Sequence, residues 1–450
     1  MAGTTIRKRA TQLKSFLRRK PGRSSNPIMA VSTFSGCGLS DTGYALAGFK
    51  FLAQVERDEV RAEIGQANFP SSHWFPDTVK AAIAAVCKLV KTSTDRLDVL
   101  IATPPCQGLS SSNPSRGKRR TEKAWRNSTK NRLILDVLPL VKRLKPRVII
   151  AENVRQVLTH RARCNGRVST VPELLGDELK QYELFTGSIN VADYGVPQIR
   201  RRAIIVAVHK EESWLEELNE RKLLPWPKST HSENGDFGLE KWATVREWLR
   251  AMRYASLDSR SEKQATGSQQ LHFVPSYDKD RYQLVSNIPK HTGRSAYEND
   301  RCPNCKRSGI ATDRAHCPTC KKPLVNRPIV QTNGRARLIK GFKSSYRRMP
   351  SNRPASTVTT NSSHIGSDNK IHPWENRVLS ILECADLQTV PRFFDWSVAT
   401  DSNRTYLIRN LIGEAFPPYF TYLHGKVIRA LLNGSTNVFS NLAKSQCSDE

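Results

Sequence analysis

The stretch MAVSTFSGCGLSDTGYALAGFKFLAQVE, residues 29–56, joins a short apolar run to a glycine-rich turn, a helical pattern and a second apolar run. Further apolar runs follow at DVLIA (98–102), RVIIA (147–151) and AIIVAVH (203–209), and the helical pattern LILDVLPLVKRLK lies between the first two of these. Alternating strand and helix signals are typical of a doubly wound, mostly parallel sheet covered by helices. We therefore predict an α/β fold of this kind for residues 28–209.

Composition divides the rest of the chain. The strand and helix alternation stops near Lys210, and residues 210–352 are polar and irregular. Helical patterns return at ENRVLSILECADL and FPPYFTYLHGKVIRALLN. We predict a flexible basic arm over 1–27, a smaller irregular domain over 210–352, a return to the α/β domain over 353–441, and a tail over 442–450.

The charge of the chain indicates its class of partner. The formal net charge is +30, and residues 1–27, 110–132 and 331–353 carry net charges of +8, +7 and +7. Basic blocks attract polyphosphates and release their counterions, which favours nucleic acid as the partner. A solvated tail is an equally good explanation for the first block only. No apolar run approaches the ~18 residues of a membrane span, and no secretory signal is evident, so we expect a cytoplasmic protein without a membrane partner.

Four of the ten cysteines form two pairs, CPNC (302–305) and CPTC (317–320), with eleven residues between them. Two Cys-x2-Cys knuckles at this separation are typical of a zinc ribbon. We predict one structural zinc ion, with a redox pair or disulfides as the alternatives. Its ligands would be Cys302, Cys305, Cys317 and Cys320.

The first turn, FSGCG (34–38), has features of a nucleotide-binding turn. Gly36 and Gly38 allow the backbone to approach a ligand at the start of the following helix. Glu56 ends the next predicted strand, where a carboxylate can bind two ribose hydroxyls. A single glycine-rich turn is weak evidence, since NAD and S-adenosylmethionine sites both use one.

Three further segments place reactive groups near the ends of predicted strands. TPPCQGLS (103–110) delivers Cys106 after a strand, AENV (151–154) delivers Glu152, and QIRRR (198–202) precedes another strand. Parallel strands that end side by side bring such groups into one crevice. Taken singly, each has an ordinary explanation: a buried thiol, an exposed acid, and a solvated basic edge.

Taken together, FSGCG, PPCQ, ENV and QIRRR resemble, in order and spacing, the motifs of the DNA (cytosine-5) methyltransferase family. The resemblance extends to HPWENRVLSILECADLQTVP (372–391) and GEAFPP (413–418), and covers roughly residues 28–209 and 353–432. It implies a Rossmann-like, S-adenosylmethionine-dependent fold in which residues 210–352 form the target recognition domain. The zinc ribbon, at about 300–322, would be an insertion in that domain.

The resemblance also implies a role for each motif residue. Cys106 would add to carbon 6 of a flipped-out cytosine, and Glu152 would contact N3 and the exocyclic amine. Arg202, with Arg200 and Gln198, would support O2 and order the catalytic loop. The implied cofactor is S-adenosylmethionine, with Glu56 at its ribose and Asp77 at its adenine; the full set of implied cofactor residues is Phe34, Gly36, Cys37, Gly38, Glu56, Asp77 and Pro104.

The implied partner is double-stranded DNA. The basic segment 110–132 would close over the flipped base, and the run 331–353 would lie along phosphates. We expect a monomeric prokaryotic or viral modification enzyme, in a prokaryote near the nucleoid, with a restriction endonuclease as a separate chain.

The chain departs from the family pattern at three positions. Leu39 stands where a further glycine is usual, Ser32 and Thr33 precede Phe34 where an acid is common, and Glu414 replaces the usual asparagine of the last motif. Two alternative functions remain open at this point: methylation of transfer-RNA cytosine, and DNA binding without catalysis.

Overall fold

The computed structural model describes residues 11–445 except 23, 106–128, 334, 342–343, 368 and 403, and for residues 129–132 the backbone alone. Cys106 and most of the basic segment 110–132 lie outside the described residues. Among the described helices, none is both long and apolar enough to cross a membrane.

A seven-stranded sheet forms the centre of the fold. Its order is β3-β2-β1-β4-β5-β9-β8; all of these strands run parallel except β9, which is antiparallel to both of its neighbours, β5 and β8. The predicted doubly wound, mostly parallel sheet is therefore confirmed. The strands are β1 (Ile28–Thr33), β2 (Phe49–Val55), β3 (His73–Phe75), β4 (Val99–Ala102), β5 (Val148–Asn153), β8 (Tyr182–Asn190) and β9 (Arg201–His209).

In the described part of the chain, eight shorter strands lie outside the central sheet. They pair as four two-stranded units: β6 (Arg161–Cys164) with β7 (Arg167–Thr170), β10 (Leu223–Pro227) with β15 (Leu442–Lys444), β11 (His231–Ser232) with β12 (Glu240–Lys241), and β13 (Ile329–Thr332) with β14 (Arg335–Leu338).

The described helices begin with a segment at residues 11–18, called α1 here. The others are α2 (Leu39–Leu46), α3 (Glu59–Asn68), α4 (Val79–Ser93), α5 (Leu138–Leu144), α6 (Val171–Glu178), α7 (Leu215–Glu220), α8 (Val245–Met252), α9 (Glu262–Ala265), α10 (Lys279–Ser286), α11 (Ile381–Leu387), α12 (Ser397–Asp401), α13 (Thr405–Glu414) and α14 (Pro418–Leu432). Short 3-10 helices span Thr129–Val137, Arg155–Leu158, Val191–Tyr194, Asp236–Gly238, Ala296–Glu298 and Thr436–Asn441.

Both faces of the sheet are packed. Ile101 and Ile150 belong to the core shared with α2 and α14, while Leu100 and Ile149 belong to the core shared with α4, α5 and α6. Because successive strand residues point to opposite faces, a strand covered on both faces reads as a continuous apolar run. This is why VLIA and VIIA were visible as strands in the sequence.

The N-terminal segment differs from its prediction. Over residues 11–18 it is helical, and it buries Leu13, Phe16 and Leu17 in the main core. The Phe16 ring lies 5.0 Å from that of Tyr419 on α14, centroid to centroid. The expected flexible arm is therefore wrong for this segment, because three apolar residues at helical spacing lie among its basic residues.

The predicted boundaries at 210 and 442 also need correction. Trp214, Leu218 and Trp226 pack in the core of the sheet domain. β10 pairs in antiparallel fashion with β15, so the predicted tail begins as a strand of that domain. The irregular region therefore starts after Pro227.

Candidate active site

The glycine-rich turn between β1 and α2 has an unusual backbone. Phe34, Gly36 and Gly38 adopt positive φ angles of 58, 57 and 79°. A Cβ at Gly38 would lie 2.5 Å from the Phe69 ring, so that position accepts only glycine. The turn thereby opens space at the carboxyl end of β1, as a cofactor that contacts the backbone requires.

Two predicted carboxylates flank this turn. Glu56, directly after β2, accepts hydrogen bonds from the Gly36 N–H at 2.9 Å and the Asp58 N–H at 3.0 Å. Asp77 follows β3 and accepts from the Thr78 N–H at 2.6 Å. Because β3, β2, β1 and β4 are neighbours in the sheet, their carboxyl ends bring together all of the predicted cofactor residues. Within this set the Cys37 side chain is buried, and burial raises the pKa of its thiol, so only its backbone can face a ligand.

Glu152 and Arg202 meet at the next strand ends. Glu152 is near the end of β5, and Arg202 near the start of the antiparallel β9. Arg202 Nε lies 2.9 Å from Glu152 Oε1, with side chains 14% and 15% exposed. That oxygen is itself buried and has no aligned hydrogen bond within the described residues. Burial raises the pKa of the Glu152 carboxyl, and the guanidinium groups of Arg202 and Arg200 act in the opposite direction.

Asn153 connects Glu152 to the segment that leads into Cys106. Its Nδ2 donates to the carbonyl oxygen of Pro104 at 3.0 Å, and its Oδ1 accepts from the Val154 N–H at 2.8 Å. The end of β5 is therefore bonded to the turn after β4. No role for Asn153 was predicted, although a polar residue at the end of an apolar run was the available signal.

Gln198 and Arg200 are fully buried and bond to the C-terminal segments. Gln198 Nε2 donates to Gln388 Oε1 at 2.7 Å, and its Oε1 accepts from the Val358 N–H at 2.9 Å. Arg200 donates to the carbonyl oxygens of Val358, Gly413 and Glu414 at 3.0, 2.9 and 3.1 Å. Of the three predicted residues only Arg202 contacts Glu152. The described contacts of the other two are structural, and their action on a base stays a prediction.

The unusual Glu414 has an ion-pair partner in this chain. Its carboxylate forms a bidentate contact with the guanidinium of Arg61 on α3. The same GEAFPP segment is tied to α2, because the Phe416 N–H donates to Ser40 Oγ at 2.9 Å. The departure from the usual asparagine is thus matched by a cation next to the cofactor turn.

The four predicted zinc ligands lie together. All four sulfur atoms are within 4.8 Å of one another, with Cys302 Sγ 3.7 Å from Cys320 Sγ and Cys305 Sγ 3.5 Å from Cys317 Sγ. A tetrahedral zinc ion with Zn–S bonds of ~2.3 Å separates its sulfur ligands by about 3.8 Å. The donor set therefore fits zinc.

A buried arginine forms hydrogen bonds to the loop between the two Cys-x2-Cys knuckles and to the segment before it. Arg327 donates to the carbonyl oxygens of Asn299, Ile310, Ala311 and Arg314 at 2.7, 2.7, 2.6 and 2.8 Å. Arg327 was not predicted, because its spacing from the cysteines follows no recognisable pattern.

The basic run 331–353 is only partly available to a polyphosphate. Arg348 is fully buried and donates to carbonyl oxygens that include those of Ile288 and His372, both at 2.9 Å. Arg347 pairs with Glu298 at 2.8 Å. The expectation that the whole run lies along phosphates is wrong for Arg348, whose charge serves the packing of this domain; the exposed cations described in the run are Arg335, Arg337, Lys340 and Arg353.

The family model for C-5 cytosine-specific DNA methylases matches residues 28–429. The chain belongs to this family. Because the match spans both the sheet domain and the irregular region, the family resemblance of the motifs is confirmed for the chain as a whole. This methylase is therefore a DNA (cytosine-5) methyltransferase, and S-adenosylmethionine is the cofactor of its family.

Relatives and solved structures agree with the family assignment. The methylase is 28% identical to the Type II methyltransferase M1.HgaI of Avibacterium volantium, over 87% of this chain and 95% of the relative. It is 28% identical to the Type II methyltransferase M.NgoPII of Neisseria gonorrhoeae, over 41% of this chain and 49% of that protein. A crystal structure of a candidate DNA modification methyltransferase from an Escherichia coli prophage has the same fold, with a TM-score of 0.52 at 19% identity, covering 90% of this chain and 99% of that one.

Proposed function

We propose that the methylase modifies carbon 5 of a cytosine flipped out of duplex DNA, through a covalent adduct on Cys106. The ion pair between Glu152 and Arg202 carries this proposal. It stands at the carboxyl edge of the sheet, and Asn153 bonds it to the turn that leads into Cys106. A flipped base is required because the face of a stacked cytosine is covered in the duplex.

Carbon 5 of cytosine is a weak nucleophile, so a thiolate must first add to carbon 6. Cys106 forms this bond and shifts electron density toward carbon 5. S-adenosylmethionine supplies the methyl group as an electrophile. A base, for which water suffices, then takes the carbon 5 proton; the electron pair of that bond re-forms the carbon 5–carbon 6 double bond, and the bond from carbon 6 to Cys106 breaks to release the thiolate.

Glu152 and Arg202 hold the base while negative charge develops on the ring. Burial raises the pKa of Glu152, so this carboxyl keeps a proton more readily than an exposed one and can share it with N3. Its Oε1 is occupied by the ion pair with Arg202 Nε at 2.9 Å, which leaves the other carboxyl oxygen for the base. Arg202 holds the carboxyl in place and donates to O2.

The cofactor residues orient the methyl donor. Gly36 and Gly38 leave the backbone of the first turn accessible, while Glu56 and Asp77 stand after the two adjacent strands. Glu56 is held by two backbone N–H groups and keeps lone pairs for ribose hydroxyls. Phe34 and Pro104 bound the site on the side of β4.

The irregular region after Pro227 is proposed as the target recognition domain. One zinc ion, held by Cys302, Cys305, Cys317 and Cys320, would stabilise its ribbon. The similarity to a Type II methyltransferase supports a modification enzyme that acts on double-stranded DNA. That it is a monomer, works in the cytoplasm and has a restriction endonuclease as a separate chain stays a prediction. Closure of residues 110–132 over the base is proposed from their sequence alone, since 106–128 lie outside the described residues.

Labelled methyl transfer tests this function. We expect incorporation into unmethylated duplex DNA and none into transfer RNA, with bisulfite sequencing locating the product at cytosine. Cys106→Ser should lower incorporation on the order of 10⁴-fold or more, because a serine hydroxyl is a far weaker nucleophile than a thiolate.

The matched control is Cys87→Ser, the same atom replacement at a buried thiol on α4, which should retain activity. Full activity of Cys106→Ser would refute the covalent mechanism. Incorporation into transfer RNA alone would refute the DNA substrate.

A further inference from the structure

The segment that follows Glu152, a 3-10 helix and then a β-hairpin, carries exposed arginines that have no described carboxylate partner. The chain leaves β5, passes through the 3-10 helix Arg155–Leu158 and forms the hairpin of β6 and β7. On β6, Arg161 and Arg163 are exposed, while Ala162 between them is buried. Because alternate strand residues point to one face, the two guanidinium groups project from the same exposed side. Arg155, just before them, is also exposed.

The carboxylates of the adjacent helix α6 have other partners. Asp177 pairs with Arg167, Glu178 binds Lys142 at 2.6 Å, and Glu173 accepts from the Thr170 N–H at 3.0 Å. Within the described residues, no carboxylate lies within 4 Å of Arg155, Arg161 or Arg163; the one hydrogen bond of these side chains runs from Arg161 to the Val168 carbonyl oxygen at 3.4 Å.

The hairpin lies close to the proposed catalytic edge. Arg155 is three residues beyond Glu152, so their Cα atoms are at most ~10 Å apart. β6 also packs against the 3-10 helix Thr129–Val137, the first described element after the segment that contains Cys106. The arginines therefore lie on elements next to the two segments that contact the target base in the proposed function. These segments are the end of β5, with Glu152, and the segment that contains Cys106.

We propose that Arg155, Arg161 and Arg163 bind backbone phosphates of the DNA strand beside the flipped cytosine. The proposal rests on the function proposed above and adds to it a surface outside the target recognition domain. Arginine forks match phosphate oxygens, and such contacts position a protein on the duplex without reading sequence. Because these three cations have no carboxylate partner among the described residues, binding a phosphate does not require an ion pair to be broken.

The test is the salt dependence of binding to a defined mixed-sequence duplex, measured by fluorescence anisotropy over a NaCl series. Each phosphate contact contributes a slope of about 0.9 to log Kobs against log[salt], so Arg155→Gln/Arg161→Gln/Arg163→Gln should reduce the slope by about 2.7. The affinity for S-adenosylmethionine and the unfolding midpoint should not change.

Arg167→Gln is the matched control, since this arginine lies in the same hairpin but is paired with Asp177. It should leave the slope unchanged. Single variants of Arg155 and Arg163, each expected to lose about 0.9, repeat the test if the triple variant folds poorly. A wild-type slope in these variants would overturn the proposal. A different result would refute the proposed function alone. If the variants show the reduced slopes but the wild-type protein transfers no methyl group, the phosphate contacts stand and the methyltransferase activity does not.

Discussion

The proposed catalytic edge of the sheet and the cysteine cluster both bring polar side chains together, but different forces hold them in place. Glu152 and Arg202 stand on strands whose two faces are packed by large apolar cores. The four thiols, in contrast, lie at a small hydrophobic cluster. Among the described residues, Ile310 and Leu324 are the only aliphatic members of that cluster. A sheet packed on both faces can hold reactive groups in place without a metal ion. The core at the cysteines is so small that it needs an additional cross-link, such as a metal ion, to stay folded.

Removal of the proposed zinc ion should have the largest effect, and we expect that effect to be confined to the cysteine cluster. Metal binding supplies roughly 10 kcal/mol or more to the folding of isolated zinc-finger peptides. We expect chelation or Cys317→Ser to remove one bound zinc and to make residues 300–326 sensitive to protease. Cys164→Ser, outside the cluster, should keep the metal content. Equal protease resistance of the metal-free protein and the metal-bound protein would show that the cysteine region, like the sheet, stays folded without a metal ion.

The opposite outcome is expected for Glu152→Gln. The amide fills the same space beside Arg202 but cannot share a carboxyl proton with N3, so single-turnover methyl transfer should fall about 10²–10⁴-fold. The unfolding midpoint should stay the same, because the sheet holds this position. Glu183→Gln, a half-buried glutamate on β8, serves as the control and should leave the rate unchanged. A large loss of stability in Glu152→Gln would show that the edge depends on its own ion pair.

Arg200 tests how far the edge depends on the C-terminal segments. Replacement by methionine removes the donor to three buried carbonyl oxygens, which should cost about 3 kcal/mol or more. Urea unfolding measures this loss. Arg201→Gln, an exposed neighbour, should cost little. Unchanged stability with lost activity would instead indicate that Arg200 acts on the base.

The smallest effect is expected at the ion pair of Arg61 and Glu414. Both side chains are partly exposed, at 23% and 35%, so water screens the pair and its contribution should be about 1 kcal/mol or less. Either Gln substitution should weaken S-adenosylmethionine binding by a few fold in calorimetry. The reversed pair Arg61→Glu/Glu414→Arg should recover part of the affinity. Equal loss in the reversed pair would mean that the individual charges, and not their pairing, matter to the cofactor.

Much of this organisation could be predicted from the sequence. The runs that become β1, β2, β4, β5 and β9 are largely apolar because both sheet faces are covered, and the motif residues lie at or next to the ends of these strands. The strand β8 was missed because YELFTGSIN mixes polar and apolar residues at the sheet edge. The helix at 11–18 was missed because its basic residues obscured three apolar positions.

The sequence by itself determined the family, the fold class, the cysteine quartet and the residues available for chemistry, because these depend on residue types in a fixed order. Tertiary structure alone decided which residues meet. It paired Arg202 with Glu152. Arg200, only two residues earlier in the chain, instead donates to a carbonyl oxygen of the C-terminal region. It joined Asn153 to Pro104 and Arg61 to Glu414, across 49 and 353 positions of the chain. Such contacts follow from strand register and helix packing over long separations, which local sequence patterns do not encode.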